Sequence, residues 1–65
     1  MKSARVYIVV VENKFGTKIS QEGFWNYSDT IEFIKGRSDC PVKISSFHYE
    51  SNENKYLIHD VRISW

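Results

Sequence analysis

One cysteine, one proline and three glycines leave this 65-residue chain with few covalent or conformational staples. A lone Cys40 excludes an internal disulfide, and such cysteine usage reads as a protein of a reducing, intracellular compartment. The longest apolar run, Val6 to Val11, ends at Glu12 and is too short for a signal-peptide core or a membrane span, so the expected location is the cytoplasm. Charge of one sign is also lacking. Nine Lys plus Arg against eight Asp plus Glu give +1, with the signs interspersed, which supports neither a strong phosphate-binding field nor an acidic mimic of DNA. A single domain over 1–65 is expected, and a domain this small buries only about 60% of the surface its unfolded chain exposes. With no disulfide available, the expected source of extra stability is a partner.

What the chain does have is aromatic and β-branched residues. Arg5 to Glu12 is a Val-rich run of strand length, with Val6, Ile8 and Val10 on one face and Tyr7, Val9 and Val11 on the other. Apolar residues on both faces predict a central strand. Asn13-Lys14-Phe15-Gly16 has the residue types of a hairpin turn. A polar second strand, Thr17 to Phe24, suits a sheet edge, and a bulge at Gly23 would bring Ile19 and Phe24 onto one face. Gly23 to Gly36 contains the one helical pattern. Ser28 is the expected N-cap, Ile31, Phe33 and Ile34 lie on the apolar half, and Gly36 is expected to take the left-handed residue after the helix. After a loop closed by Pro41 come a strand over Val42 to Glu50, a polar turn over Ser51 to Lys55, and a last strand over Tyr56 to Ser64. Its Leu57, Val61, Ile63 and Trp65 share one face, and Tyr56, Ile58, Asp60 and Arg62 the other. The fold expected is α+β, ββαββ, a four-stranded antiparallel-rich sheet with a short helix on one face; the strand order is 2-1-4-3 if the two most apolar strands are central, and the sequence leaves other orders open.

Chemistry-bearing residues are few. A four-residue turn would set His48 opposite His59, but two ligands fall short of a structural zinc site, so no metal and no cofactor are expected. Cys40 has Arg37 nearby but no base and orienter in reach, and no Gly-x-Ser-x-Gly elbow is present, so the chain reads as a non-enzyme. Leftover apolar surface is more informative. One two-turn helix, about 12 Å long, shields one sheet face only. The other is expected to present several of Tyr7, Val9, Val11, Phe47, Tyr49, Tyr56 and Ile58, and that face or an exposed edge strand is the expected interface, either with a target protein or in a homodimer. Trp25, Tyr27, Tyr49 and Tyr56 are the expected anchors, with Arg37 beside them. A second reading, a small nucleic-acid-binding regulator, would use Lys35, Arg37 and Lys43 with neighbouring aromatics.

The Lys-, Asn- and Ile-rich usage of Thr17 to Ile19 and Ser51 to Ile58, and the Gly23-Phe24-Trp25-Asn26-Tyr27 stretch entering a short helix, resemble small phage- and prophage-encoded proteins of Gram-positive hosts, in particular anti-CRISPR-type inhibitors. The resemblance is one of general style across the whole chain and carries no site residues. It implies a stoichiometric inhibitor of a host defence nuclease. The near-neutral charge points such an inhibitor toward blocking a protein surface rather than imitating duplex DNA.

Overall fold

The computed structural model describes residues 1–65 and has the element order β1 (Ser3–Asn13), β2 (Lys18–Phe24), α1 (Tyr27–Lys35), β3 (Val42–Ser45), β4 (His48–Glu50) and β5 (Asn54–Ser64). All neighbouring strands are antiparallel, in the order β2-β1-β5-β4-β3. The fold is α+β with one helix on one face; β1 is central as its two apolar faces predict, and β5 lies beside it. The element order is ββαβββ, however, and the sheet has five strands.

The extra strand comes from the segment Val42 to Glu50, which is not one strand but a tight hairpin. Ser45 Oγ accepts a hydrogen bond from the Phe47 amide (3.3 Å), the Tyr27 hydroxyl donates to the Ser46 carbonyl, and the Ile58 amide donates to the Phe47 carbonyl (2.9 Å). These bonds satisfy a reversal that no Gly, Pro or Asn announces.

The β1–β2 turn forms as its residues dictate. Asn13 Oδ1 accepts from the amides of Phe15 (2.9 Å) and Thr17 (3.0 Å), and Gly16 takes φ +83°. The β1–β2 irregularity lies between Val11 and Glu12, opposite Ser20 and Lys18, which leaves Ile19 unpaired. Gly23 pairs regularly with Ile8, so the expected bulge there is absent. Helix α1 is capped by Asn26 rather than Ser28: Asn26 is extended (φ −123°, ψ 141°), its carbonyl accepts from the Asp29 amide (3.2 Å), and its amide side chain donates to the Asp29 carboxylate (3.3 Å). Gly36 keeps a right-handed backbone (φ −80°), and the positive φ of this connection falls on Cys40 (51°).

The core is small. Val9, Val11, Tyr49, Tyr56 and Ile58 from the sheet meet Ile34 and Thr30 from the helix, with Tyr7, Phe24, Tyr27, Ile31 and Phe33 packed around them. Those seven are the only buried residues of the 65, so each carries a large share of the stability.

Candidate interaction surface

Strand register sorts the side chains into two faces. Helix α1 covers the rows Val11–Tyr56–Tyr49 and Val9–Ile58. The residues expected to face outward are therefore the core, with Tyr7 half-buried and Phe47 partly exposed at the β3–β4 turn. The grouping of residues by face stands as the alternation implies, but the helix lies on the other side. Tyr49 and Tyr56, at 5% and 0% exposure, cannot anchor a partner in this fold.

The uncovered face is built of five cross-strand rows. At one end, Lys18, Glu12, Lys55 and Glu50 alternate in sign across four strands. Then come Gln21–Val10–Leu57–His48, Gly23–Ile8–His59, Val6–Val61 and Ala4–Ile63. Cross-strand neighbours on one face lie about 5 Å apart, so Val6, Ile8, Val10, Leu57, Val61 and Ile63 form one apolar strip bounded by the charge row. Val42, 62% exposed, joins this face opposite Glu50.

The other sequence-derived residues distribute unevenly. Trp25, 70% exposed, sits in the link between β2 and α1. Tyr27 has a structural role: its ring stands edge-on to Tyr7 (centroids 5.9 Å apart) and Phe47 (5.7 Å), and its hydroxyl holds the Ser46 carbonyl. Burial, reinforced by the nearby Tyr49, pushes its phenol above the ordinary value.

Arg37 is likewise engaged within the molecule. Its guanidinium lies over the rings of Phe33 (5.7 Å) and Tyr56 (5.8 Å), and Nε donates to the Tyr56 hydroxyl (3.2 Å). That hydroxyl donates in turn to Asp39 (2.7 Å to Oδ2), which also accepts from Ser51 Oγ and Asn54 Nδ2 (3.2 Å). Burial alone would raise the Asp39 carboxyl; the hydrogen bonds from Ser51 and Tyr56, its own backbone and Asn54 outweigh it and hold the carboxyl below the ordinary value. Tyr56 is raised, first by burial and then by its bond to Asp39. This network ties the 36–41 loop and the β4–β5 turn to the core. Composition labelled Asp39 only as loop, because its partners lie 12 to 17 residues away in sequence. Of the basic trio, Lys35 and Lys43 are exposed while Arg37 is half-buried.

Register also separates the histidines. Glu50 pairs with Lys55, so His48 faces Leu57 and His59 faces Ile8. His48 Nε2, shut off from water, lies 2.8 Å from Glu50 Oε2 on the same strand. No group of three His, Cys, Asp or Glu side chains is placed to hold a metal. The largest concavity, a groove of roughly 380 Å³, runs past Asp39, Cys40, Val42, Ile44 and Glu50. No protein-family model matches the chain, and no curated protein or solved structure matches it. No helix is long and apolar enough to cross a membrane.

Proposed function

We propose that this chain is a non-enzymatic binding protein that acts stoichiometrically on another protein through the uncovered face of its sheet. The observation that carries this reading is the apolar strip of Val6, Ile8, Val10, Leu57, Val61 and Ile63, which no element covers because the single helix lies over the other face; the first four are half-buried among their neighbours and Val61 and Ile63 are exposed. A contiguous apolar patch rimmed by charge is the usual mark of a protein interface. Exposed Trp25 lies outside the core and is available as an aromatic anchor. The target class suggested by the resemblance is a defence nuclease of the CRISPR type, inhibited by occlusion of a protein surface.

Titrating purified nuclease effector complexes with the protein tests this. Inhibition is expected to saturate near one equivalent per effector. His59→Glu, which sets a charge at the exposed centre of the strip, is expected to weaken inhibition by roughly tenfold or more, about 1.4 kcal/mol, with an unchanged circular dichroism spectrum. Undiminished inhibition by a folded His59→Glu protein would move the interface elsewhere. Oligonucleotide binding that weakens steeply between 50 and 200 mM salt, about the range over which phosphate contacts are lost, would favour the nucleic-acid regulator instead.

A further inference from the structure

The β1–β5 pair outruns the rest of the sheet. β2 reaches only as far as Tyr7 of β1, and β4 only as far as Leu57 of β5, with one further bond from the Ile58 amide to Phe47. Beyond these points Ser3–Val6 and His59–Ser64 form a two-stranded ribbon with both edges open, and His59 to Ser64 are all exposed. A two-stranded ribbon is marginal in water, and an open edge is a template for another strand. The β5 edge is the longer of the two, and it contains no Pro, Gly or Lys to blunt it.

The hydrogen-bond pattern fixes which groups that edge offers. The Ile58 amide points away from β1, whereas the Trp65 amide and carbonyl bond Lys2 of the β1 side (2.9 and 2.7 Å). Alternation along the strand then turns the amides and carbonyls of Asp60, Arg62 and Ser64 outward. Charge is unbalanced at the same place. Arg5 and Arg62 stand directly opposite each other on one face, and Asp60 spends its carboxylate on Arg5 (3.2 Å), leaving Arg62 without an ion-pair partner.

We infer that the β5 edge pairs antiparallel with the β5 edge of a second copy of this chain, about a two-fold axis at Val61. A two-fold axis perpendicular to the sheet sets residues of the same face opposite each other, so the axis passes through a residue position. Centring on Val61 places Asp60 of each copy opposite Arg62 of the other, and these outward-turned pairs exchange both of their backbone bonds. Centring on Arg62 would set arginine against arginine, and centring on Asp60 would set aspartate against aspartate. Like charges directly opposite are destabilising, so charge selects the Val61 register. In that register Val61 meets its own copy, Ile63 meets His59, and two five-stranded sheets become one. The pairing stops where the β3–β4 turn occupies the next stretch of edge. This inference does not depend on which target the uncovered face binds.

The test is the mass of the full chain in solution, by sedimentation velocity over a range of concentrations, with Asp60→Arg and Arg62→Asp variants. The wild type is expected to sediment at twice its 7.7 kDa chain mass at high concentration. Amide exchange at Asp60 and Arg62 is expected to slow as the dimer forms. Each variant alone carries like charge at both outward positions and is expected to dimerise roughly tenfold more weakly or worse, whereas an equimolar mixture of the two restores complementary pairs and dimers. Arg62→Pro, which removes an amide that the single copy leaves unbonded, should give a folded monomer. A wild type that stays monomeric at every concentration overturns the inference. So does a dimer that survives undiminished in each variant alone, or a mixture that fails to dimerise.

Discussion

Asp39 shows how much a single side chain contributes in a chain with so small a core. Its carboxylate gathers donors from Ser51, Asn54 and Tyr56, and Arg37 closes the network from the other side of the Tyr56 hydroxyl. Because folding lowers its pKa, the unfolded chain binds more protons than the folded one between the two pKa values. The contribution is therefore fully present above the unfolded carboxyl value of about 4 and is lost as pH falls through the lower folded value. Asp39→Asn is expected to remove this acid-side dependence, which urea titrations of both proteins from about pH 5 downward would reveal. Tyr56→Phe takes away the central donor and leaves Asp39 with fewer partners. Its expected cost is about 1.5–3 kcal/mol, the range for bonds to charged groups, and an unchanged urea midpoint would mean that water replaces the hydroxyl without loss.

At the scale of elements, the turns decide what the strands can do. Gly16 sits at φ +83° with open space where a Cβ would lie, so Gly16→Ala meets no clash and its cost is purely that of the backbone. About 1–2 kcal/mol is expected, the penalty of a left-handed L-residue, read as a lowered thermal midpoint; a smaller shift would show that the turn relaxes to a different type. The β3–β4 reversal rests on different chemistry. A serine hydroxyl, the Tyr27 phenol and the Ile58 amide hold it, so the helix entry and β5 jointly fold what appears in sequence as one strand. Tyr27 is thus accounted for by packing and hydrogen bonding. Trp25, two residues earlier and free of such ties, remains the exposed aromatic of that stretch.

The whole molecule is elongated. A compact chain of this length has a radius of gyration near 10.7 Å by the usual scaling, about 2.2 Å times 65 to the power 0.38, whereas this one has 12.4 Å and extents of 43 × 22 × 17 Å. The projecting β1–β5 ribbon accounts for the excess, since eleven residues of strand span about 37 Å. A chain of this size is expected to be stable by about 3–10 kcal/mol, at 0.05–0.15 kcal/mol per residue. Ile34→Ala, at the fully buried centre of the helix contact, should cost about 2–5 kcal/mol, a large fraction of that total, and lower the urea midpoint accordingly. A cooperative, wild-type-like melt for that variant would mean that the helix is not what closes the core. The central sheet pairing joins the first strand to the last, so chain closure over nearly the full length precedes the main ladder.

Sequence alone determined the elements that depend on neighbours along the chain: the β1 run, the Asn13–Gly16 turn, the position of the helix, and which side chains of β1 and β5 share a face. Strand and helix periodicities are local properties, and they survive into the fold. It also separated Arg62 from Val61 and Ile63 by face, which underlies the dimer register inferred above. Tertiary structure decided what depends on distant partners. Two aliphatic and aromatic faces of similar quality look alike in sequence. The helix closes on the one whose Tyr56 hydroxyl can be satisfied by Asp39 and Arg37, residues of a loop that becomes a neighbour only on folding. That choice buried Tyr49 and Tyr56 and left the Val6–Ile8–Val10 row half-buried on the uncovered face, while the turn that pairs Glu50 with Lys55 set His48 out of register with His59. A hydrogen-bond partner more than ten residues away leaves no local trace, and such partners tie down the face of the sheet that the helix covers.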